Sequence, residues 1–185
     1  MTETLIDGHR IDVLFSAADI SARIATMAQE IAARRPTRLL VVPILKGSFI
    51  FAADLIRAMH GAGLSPEVDF MMLASYREAT RSSGQVDVVR DIESAVHGRD
   101  VLLVDDILES GRTLAFAKDL LTARGARSAM TAVLLNKPGH LAAHIAADFT
   151  GFTCPDLFVV GYGMDMANQF RELPFVGHVL SPGAD

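Results

Sequence analysis

The chain has 185 residues, enough for one domain with a sizeable buried core. Hydrophobic residues make up 50% and charged residues 21%, without low-complexity runs, a composition that excludes a disordered chain. The formal net charge of −5 argues against broad electrostatic binding to nucleic acid, no apolar run approaches the roughly 18 residues of a membrane helix, and one cysteine, Cys154, allows no internal disulfide.

Residues 1–15 read as irregular, with a candidate strand around Ile11 to Leu14. No basic segment followed by an apolar run marks a signal peptide, and Cys154 reads as a small buried hydrophobe, so a reducing cytoplasm is the expected location. Ser16 with Asp19 three residues on has the pattern of a capping box, and Ile20, Ile24, Met27 and Ile31 follow at helical spacing. That helix is expected to stop before Pro36. Leu39 to Leu45 reads as the first central strand, with Pro43 near its end, where a missing ladder donor is tolerable. After Lys46-Gly47-Ser48 comes a helix through Phe49, Ala53, Leu55 and Ile56 that ends near His60-Gly61, then a strand from Val68 to Ala74. The polar stretch from Ser75 to Gln85 has the composition of a mobile functional loop, and Gln85 to Asp91 that of a return strand.

Val101 to Val104 reads as a strand buried on both faces. It ends in Asp105 and Asp106, followed by a turn from Ile107 to Gly111 and a helix through Leu114, Ala117, Leu120 and Leu121 that stops near Gly125. Ser128 to Leu135 is a further buried strand, closing on Asn136-Lys137-Pro138. His140 and His144 are four apart, the spacing of a metal pair on a helix face, yet no third ligand suggests itself, and surface positions are expected. Leu157 to Val160 reads as a last strand; Gly161 and Gly163 beyond it permit close backbone approach without forming a dinucleotide fingerprint. Strands alternating with helices imply an α/β fold, a mainly parallel central sheet flanked by helices.

Open sheets of this kind bind ligands at the carboxyl ends of their strands. There the chain places Asp105 and Asp106, then Ser110, Gly111 and Thr113 at a helix start. Backbone donors and the helix dipole suit a phosphate, and the carboxylates suit ribose hydroxyls or a hydrated Mg²⁺. Lys46, taken alone, reads as an exposed turn lysine, although its place beside Gly47 at a strand's carboxyl end also suits a phosphate.

The run from Val101 to Leu114 resembles the phosphoribosyl-pyrophosphate (PRPP) binding motif of type I phosphoribosyltransferases: an apolar strand, two acidic residues, two apolar residues, an acidic or small residue, a hydroxyl residue, glycine, any residue, threonine. The likeness extends over roughly residues 40 to 180 to the hypoxanthine-guanine phosphoribosyltransferases. It implies that family's fold, with a PRPP-binding core over 16–150 and a small hood formed by 1–15 and 151–185. Lys46-Gly47 resembles the pyrophosphate loop, in which the peptide before the lysine is often cis, and Ser75 and Tyr76 match the Ser-Tyr pair of a catalytic lid. A lid would shield a cationic sugar from water. Lys137 matches the lysine that donates to a purine 6-oxo group, Phe158 the aromatic that stacks on the purine, and Val159 the backbone that reads the base edge, with Ile107 also on the purine side. Asp165 matches a ligand of a second Mg²⁺ and Arg171 a pyrophosphate contact.

What the resemblance implies is transfer of 5-phosphoribosyl from PRPP to hypoxanthine or guanine, giving IMP or GMP and pyrophosphate in purine salvage. Mg²⁺, Lys46 and Arg171 would stabilise the leaving pyrophosphate, while Asp105 and Asp106 hold ribose hydroxyls and metal. Glu109, Ser110, Gly111, Arg112 and Thr113 would cradle the 5′-phosphate, and Glu109 would accept the purine proton. Glu109, Lys137 and Arg171 are thus the expected catalytic residues, and a homodimer or homotetramer the expected assembly. Two residues depart from the pattern: Asp105 stands where Glu is usual, and Glu109 where Asp is usual. The second shifts the expected base by about 1.5 Å, a displacement that can cost on the order of 100-fold in rate unless the backbone compensates. The same motif also resembles a PRPP-sensing regulator of pyrimidine operons that binds messenger RNA; the acidic charge and the purine-reading residues point away from it. A xanthine-preferring enzyme is the other alternative, since Lys137 suits any 6-oxopurine.

Overall fold

A strand that is apolar at nearly every position has to be covered on both faces, and three such strands set the architecture of this protein. The computed structural model describes residues 3–6, 8–75, 86–139 and 141–180. In chain order they form β1 (Glu3–Ile6), β2 (His9–Phe15), α1 (Ala17–Ala33), β3 (Leu40–Leu45), α2 (Phe49–Gly61), β4 (Glu67–Val68) and β5 (Met71–Ser75). These are followed by β6 (Val86–Arg90), β7 (Asp100–Leu108), α3 (Arg112–Ala123), β8 (Ser128–Asn136), β9 (Phe149–Thr153), β10 (Val159–Val160) and β11 (Val176–Val179).

The apolar strands β3, β7 and β8 lie side by side in a seven-stranded sheet of order β6-β5-β3-β7-β8-β9, with β4 also paired to β3. Every pairing is parallel except that of β5 with β6. The period of two along β7 sends Leu102 and Val104 to one face and Val101 and Leu103 to the other. The first face is covered by Ile24, Met27 and Ile31 of α1 and Phe51, Leu55 and Met59 of α2. The second is covered by Leu114, Ala117 and Leu121 of α3. Each such side chain contributes about 1.5–3 kcal/mol on burial. The capping box forms as expected: Ser16 Oγ accepts from the Asp19 N–H at 3.2 Å, and the Asp19 carboxylate accepts from the Ser16 N–H at 3.2 Å.

Four departures from the sequence reading have physical causes. The strand expected over Val68 to Ala74 is two strands, broken at Asp69 and Phe70. β4 pairs with Leu40 and Val41, β5 with Ile44 and Leu45, so the break falls alongside Pro43, which has no N–H to give. The Asp69 carboxylate fixes the break by accepting from the N–H groups of Phe70, Glu93 and Ser94 at 2.7–2.8 Å. β7 runs on to Leu108, paired with β8 as far as Asn136, so Ile107 and Leu108 belong to the strand and the turn after it is shorter than expected. The strand β9 has no counterpart in the sequence reading, and the boundary expected at residue 150 falls inside it. Finally, residues 141–148 form no helix; His144 is exposed there, and His140 lies outside the described residues.

A second, antiparallel sheet of order β1-β2-β11-β10 joins the N-terminal residues to those near 160 and 178. Ile11, Val160, Phe170 and Leu173 form its small core. Among the described residues no helix is long and apolar enough to cross a membrane.

Candidate active site

The carboxyl ends of β3 and β7 open into a cleft of about 260 Å³. Lys46, Gly47, Asp105, Asp106, Ile107, Glu109, Ser110, Gly111 and Thr113 all line it, bringing together residues up to 67 positions apart, from Lys46 to Thr113. The Leu45–Lys46 peptide bond is cis. Ser48, fully buried, donates its hydroxyl to the Ile44 carbonyl at 2.6 Å and ties the loop to the strand that carries it. Gly47 is required by packing: a Cβ there would run into the carboxylate of Asp106.

Asp105 and Asp106 are consecutive in β7, and both line the cleft. The Asp105 carboxylate accepts from the Asp106 N–H at 3.0 Å, and that of Asp106 from the Ile107 N–H at 3.0 Å. Burial pushes both carboxyls up from the ordinary carboxylate range, and the charge of Asp106 pushes Asp105 further. Two poorly solvated carboxylates favour a bound cation or hydroxyl donors. Their all-oxygen donor set fits a divalent Mg²⁺, which takes one or two carboxylates and completes its shell with water and substrate oxygens. Among the described residues no group of three or more His, Cys, Asp or Glu side chains is placed to hold a metal by itself.

The turn after β7 reaches α3 through Gly111, whose φ of +74° lies in the left-handed region. A side chain at Gly111 would also meet Ile145 at 2.6 Å and Leu141 at 3.2 Å. The Ser110 carbonyl accepts from the N–H groups of Ala142 and Ala143 at 2.9 and 3.2 Å. Residues 141–145 thus brace the turn from outside, a role that nothing in their own sequence signals. Arg112 does not line the cleft; it is the first residue of α3, and its N–H lies 3.4 Å from Ser110 Oγ.

Lys137 stands one position past β8, with only 6% of its surface exposed. Its Nζ donates to the Leu157 carbonyl at 2.7 Å and lies 3.9 Å from Glu109 Oε1. The ammonium and the carboxylate thus meet beside the cleft, a pairing not visible in the sequence. Val159 is buried in β10, whereas Phe158, next to it, is 56% exposed. A ring left that open to water is available for stacking. The Phe158 carbonyl accepts from the Val179 N–H at 3.2 Å and lies 3.0 Å from His178 Nδ1, a neighbour the sequence reading passed over.

Asp165 and Arg171 do not line the cleft; they pair with each other at 2.6 Å. Arg171 Nη1 also donates to the Gly163 carbonyl at 2.6 Å, and the Asp165 carboxylate accepts from the Asn168 N–H at 2.8 Å. Their loop nevertheless abuts the cleft, because Gly163 packs backbone to backbone on Gly47: a Cβ at Gly163 would overlap the Gly47 carbonyl oxygen. Ser75 ends β5; its side chain, Tyr76 and the rest of the expected lid through Gln85 lie outside the described residues.

A helix-starting turn beside paired carboxylates, at the carboxyl end of a parallel sheet capped by a small antiparallel sheet, defines the class: an α/β domain of the type I phosphoribosyltransferase fold. The phosphoribosyl transferase domain family matches residues 12–167. The chain is 38% identical over 175 residues to the hypoxanthine phosphoribosyltransferase of Escherichia coli K12, covering 93% of this chain and 97% of that one. It is 41% identical over 176 residues to the hypoxanthine-guanine phosphoribosyltransferase of Bacillus subtilis, covering 94% and 96%. The crystal structure of a hypoxanthine phosphoribosyltransferase from Staphylococcus aureus matches with a TM-score of 0.85 and 36% identity over 91% of each chain. The chain belongs to the hypoxanthine-guanine phosphoribosyltransferase family.

Proposed function

We propose that the protein is a purine-salvage enzyme that transfers 5-phosphoribosyl from PRPP to hypoxanthine or guanine, giving IMP or GMP and pyrophosphate. The observation that supports this most is the convergence of Lys46-Gly47, Asp105-Asp106 and the turn 109–113 on one cleft. In this reading the backbone N–H groups of the turn from Ser110 to Thr113, at the positive end of α3, hold the 5′-phosphate. Asp105 and Asp106 accept from the ribose hydroxyls and orient the sugar. The same carboxylates would hold a Mg²⁺, which when bound would supply positive charge near the departing pyrophosphate. Lys46 adds a cation at that end, and Arg171 is carried there by the contact of Gly163 with Gly47.

The purine binds between Phe158, whose exposed ring stacks on it, and Lys137, which donates to the 6-oxo group. Glu109 accepts the proton the purine loses as its ring nitrogen attacks the sugar. Lys137 Nζ, 3.9 Å away, holds the longer Glu109 side chain and offsets the extra methylene of this chain relative to the family. Asp165, paired with Arg171 in this structure, would be a carboxylate available to a second Mg²⁺ if Arg171 engaged pyrophosphate. The seven-stranded sheet with its helices is the PRPP-binding core, and the four-stranded sheet is the hood that carries Val159. Work in the cytoplasm as a homodimer or homotetramer, without nucleic acid or membrane, completes the reading.

The test is chromatographic detection of IMP formed from hypoxanthine and PRPP with Mg²⁺. The expected result is stoichiometric IMP and pyrophosphate, abolished in Asp106→Asn. Retention of a leader RNA in a gel shift, with no IMP formed, would transfer the protein to the regulator class.

A further inference from the structure

A partly buried side-chain hydrogen bond ties the loop that carries Gly163, Asp165 and Arg171 to the helix behind the phosphate loop, and the mechanism above makes no use of it. Tyr162 stands between Gly161 and Gly163, with φ of +50° flanked by +94° and +100°. Three successive left-handed residues, the middle one an aromatic, persist only where surrounding contacts hold them. The Tyr162 N–H donates to the Leu173 carbonyl at 2.9 Å, and its ring is buried. Its hydroxyl donates to the carboxylate of Asp54, in the second turn of α2, and Asp54 in turn pairs with Arg57. Burial, then the hydrogen bond to Asp54 and its charge, push the Tyr162 phenol upward, so the hydroxyl remains a donor throughout the working pH range.

The geometry points to Tyr162 and Asp54 as positioning residues for the pyrophosphate end of the site. α2 begins directly after Lys46-Gly47-Ser48, so Asp54 is rigidly linked to the phosphate loop through helical backbone. Tyr162 is covalently next to Gly163, which packs on Gly47 and whose carbonyl accepts from Arg171. The Tyr162–Asp54 hydrogen bond closes this ring of contacts and fixes the register of the loop 161–173 against the phosphate loop. Neither side chain lines the cleft, so both act through Gly163 and Arg171.

This inference rests on reading the cleft as a PRPP site, and the test separates the two. Titration calorimetry of the full chain with Mg·PRPP and with IMP compares the parent with Tyr162→Phe, which removes only the hydroxyl. IMP carries the 5′-phosphate and purine but no pyrophosphate. The expected result is Mg·PRPP affinity weakened about tenfold, IMP affinity within about twofold of the parent, and a melting temperature only a few degrees lower, as loss of one hydrogen bond to a carboxylate requires. Asp54→Ala reproduces the effect, Asp54→Asn, which keeps a carbonyl acceptor, largely restores binding, and the Tyr162→Phe/Asp54→Ala double variant is no weaker than the worse single. Equal weakening of PRPP and IMP, additive single effects, or parental PRPP affinity in Tyr162→Phe would overturn the positioning role alone. A parent that binds no Mg·PRPP would overturn the reading of the cleft and this inference with it.

Discussion

Replacing Gly47 by alanine is the sharpest perturbation of the proposed PRPP site. The added methyl group would land on one oxygen of the Asp106 carboxylate and lie 2.5 Å from its Cγ. The nearer oxygen would be 1.7 Å from the new carbon and ordinary contact requires about 1.7 Å more, so either the phosphate loop or the carboxylate has to retreat by well over 1 Å. Asp106 is anchored through the Ile107 N–H, and Gly47 is pressed from its other side by Gly163, so neither moves freely. A displacement of about 1 Å in a positioned group costs on the order of 100-fold in rate, and overpacking of this kind costs about 1–3 kcal/mol in stability. For a chain of this size that is a fall in Tm of several degrees, about 2–4 °C per kcal/mol. The expected result for Gly47→Ala is therefore a folded protein whose kcat/KM for PRPP falls about 100-fold, measured by pyrophosphate release at saturating purine. Gly61→Ala is the control, because nothing lies within 4 Å of its added methyl and it closes α2 with an ordinary φ. It should keep parental kinetics and gain up to about 1 kcal/mol. A folded Gly47→Ala with parental kcat/KM for PRPP would refute the packing of Gly47 on Asp106.

Three further outcomes follow from individual contacts. Glu109→Gln should lower kcat on the order of 100-fold with the KM for PRPP unchanged, and near-parental turnover across pH would remove Glu109 as the base. Phe158→Ala, removing a ring more exposed than not, should raise the KM for the purine about tenfold with Tm unchanged, since stacking and not core packing is lost. Asp100 at the opposite end of the sheet supplies a pH dependence. Its burial alone would raise its carboxyl, but hydrogen bonds from Arg127, Ser128 and the Thr37 N–H outweigh this and hold it below its ordinary value of 3.8. A depressed native value means the stabilisation is present above 3.8 and is lost as pH falls below it. Asp100→Asn should therefore lower stability to urea at pH 7 and have a much smaller effect at pH 2; an equal loss at both would contradict this.

The parts of the fold that could be read in the sequence are those whose signal is local. β3, β7 and β8 are continuous apolar runs, α1 has its cap and period in sequence, and the PRPP motif is contiguous from strand to helix. β9 was not read, because Phe149-Thr-Gly-Phe-Thr153 is short and has a glycine at its centre, which weakens a strand signal. Its glycine, Gly151, is there because the Leu134 carbonyl of β8 occupies the space of a side chain. The pairing of β2 with β11 joins residues 11–15 to 176–179, and no periodicity reports a contact over that separation. For the candidate site, the residues at the ends of β3 and β7 that line the cleft were readable, whereas the company they keep was not. Lys137 beside Glu109, Arg171 on Gly163, and residues 141–145 against Ser110 and Gly111 are consequences of strand order and loop packing.

Pyrophosphate release from PRPP with Mg²⁺, with hypoxanthine, guanine, xanthine, adenine and uracil offered in parallel, tests the central claim most directly. Lys137 and Phe158 predict turnover with 6-oxopurines, hypoxanthine and guanine foremost, and none with adenine or uracil. Turnover with uracil, or with none of the five bases, would contradict it.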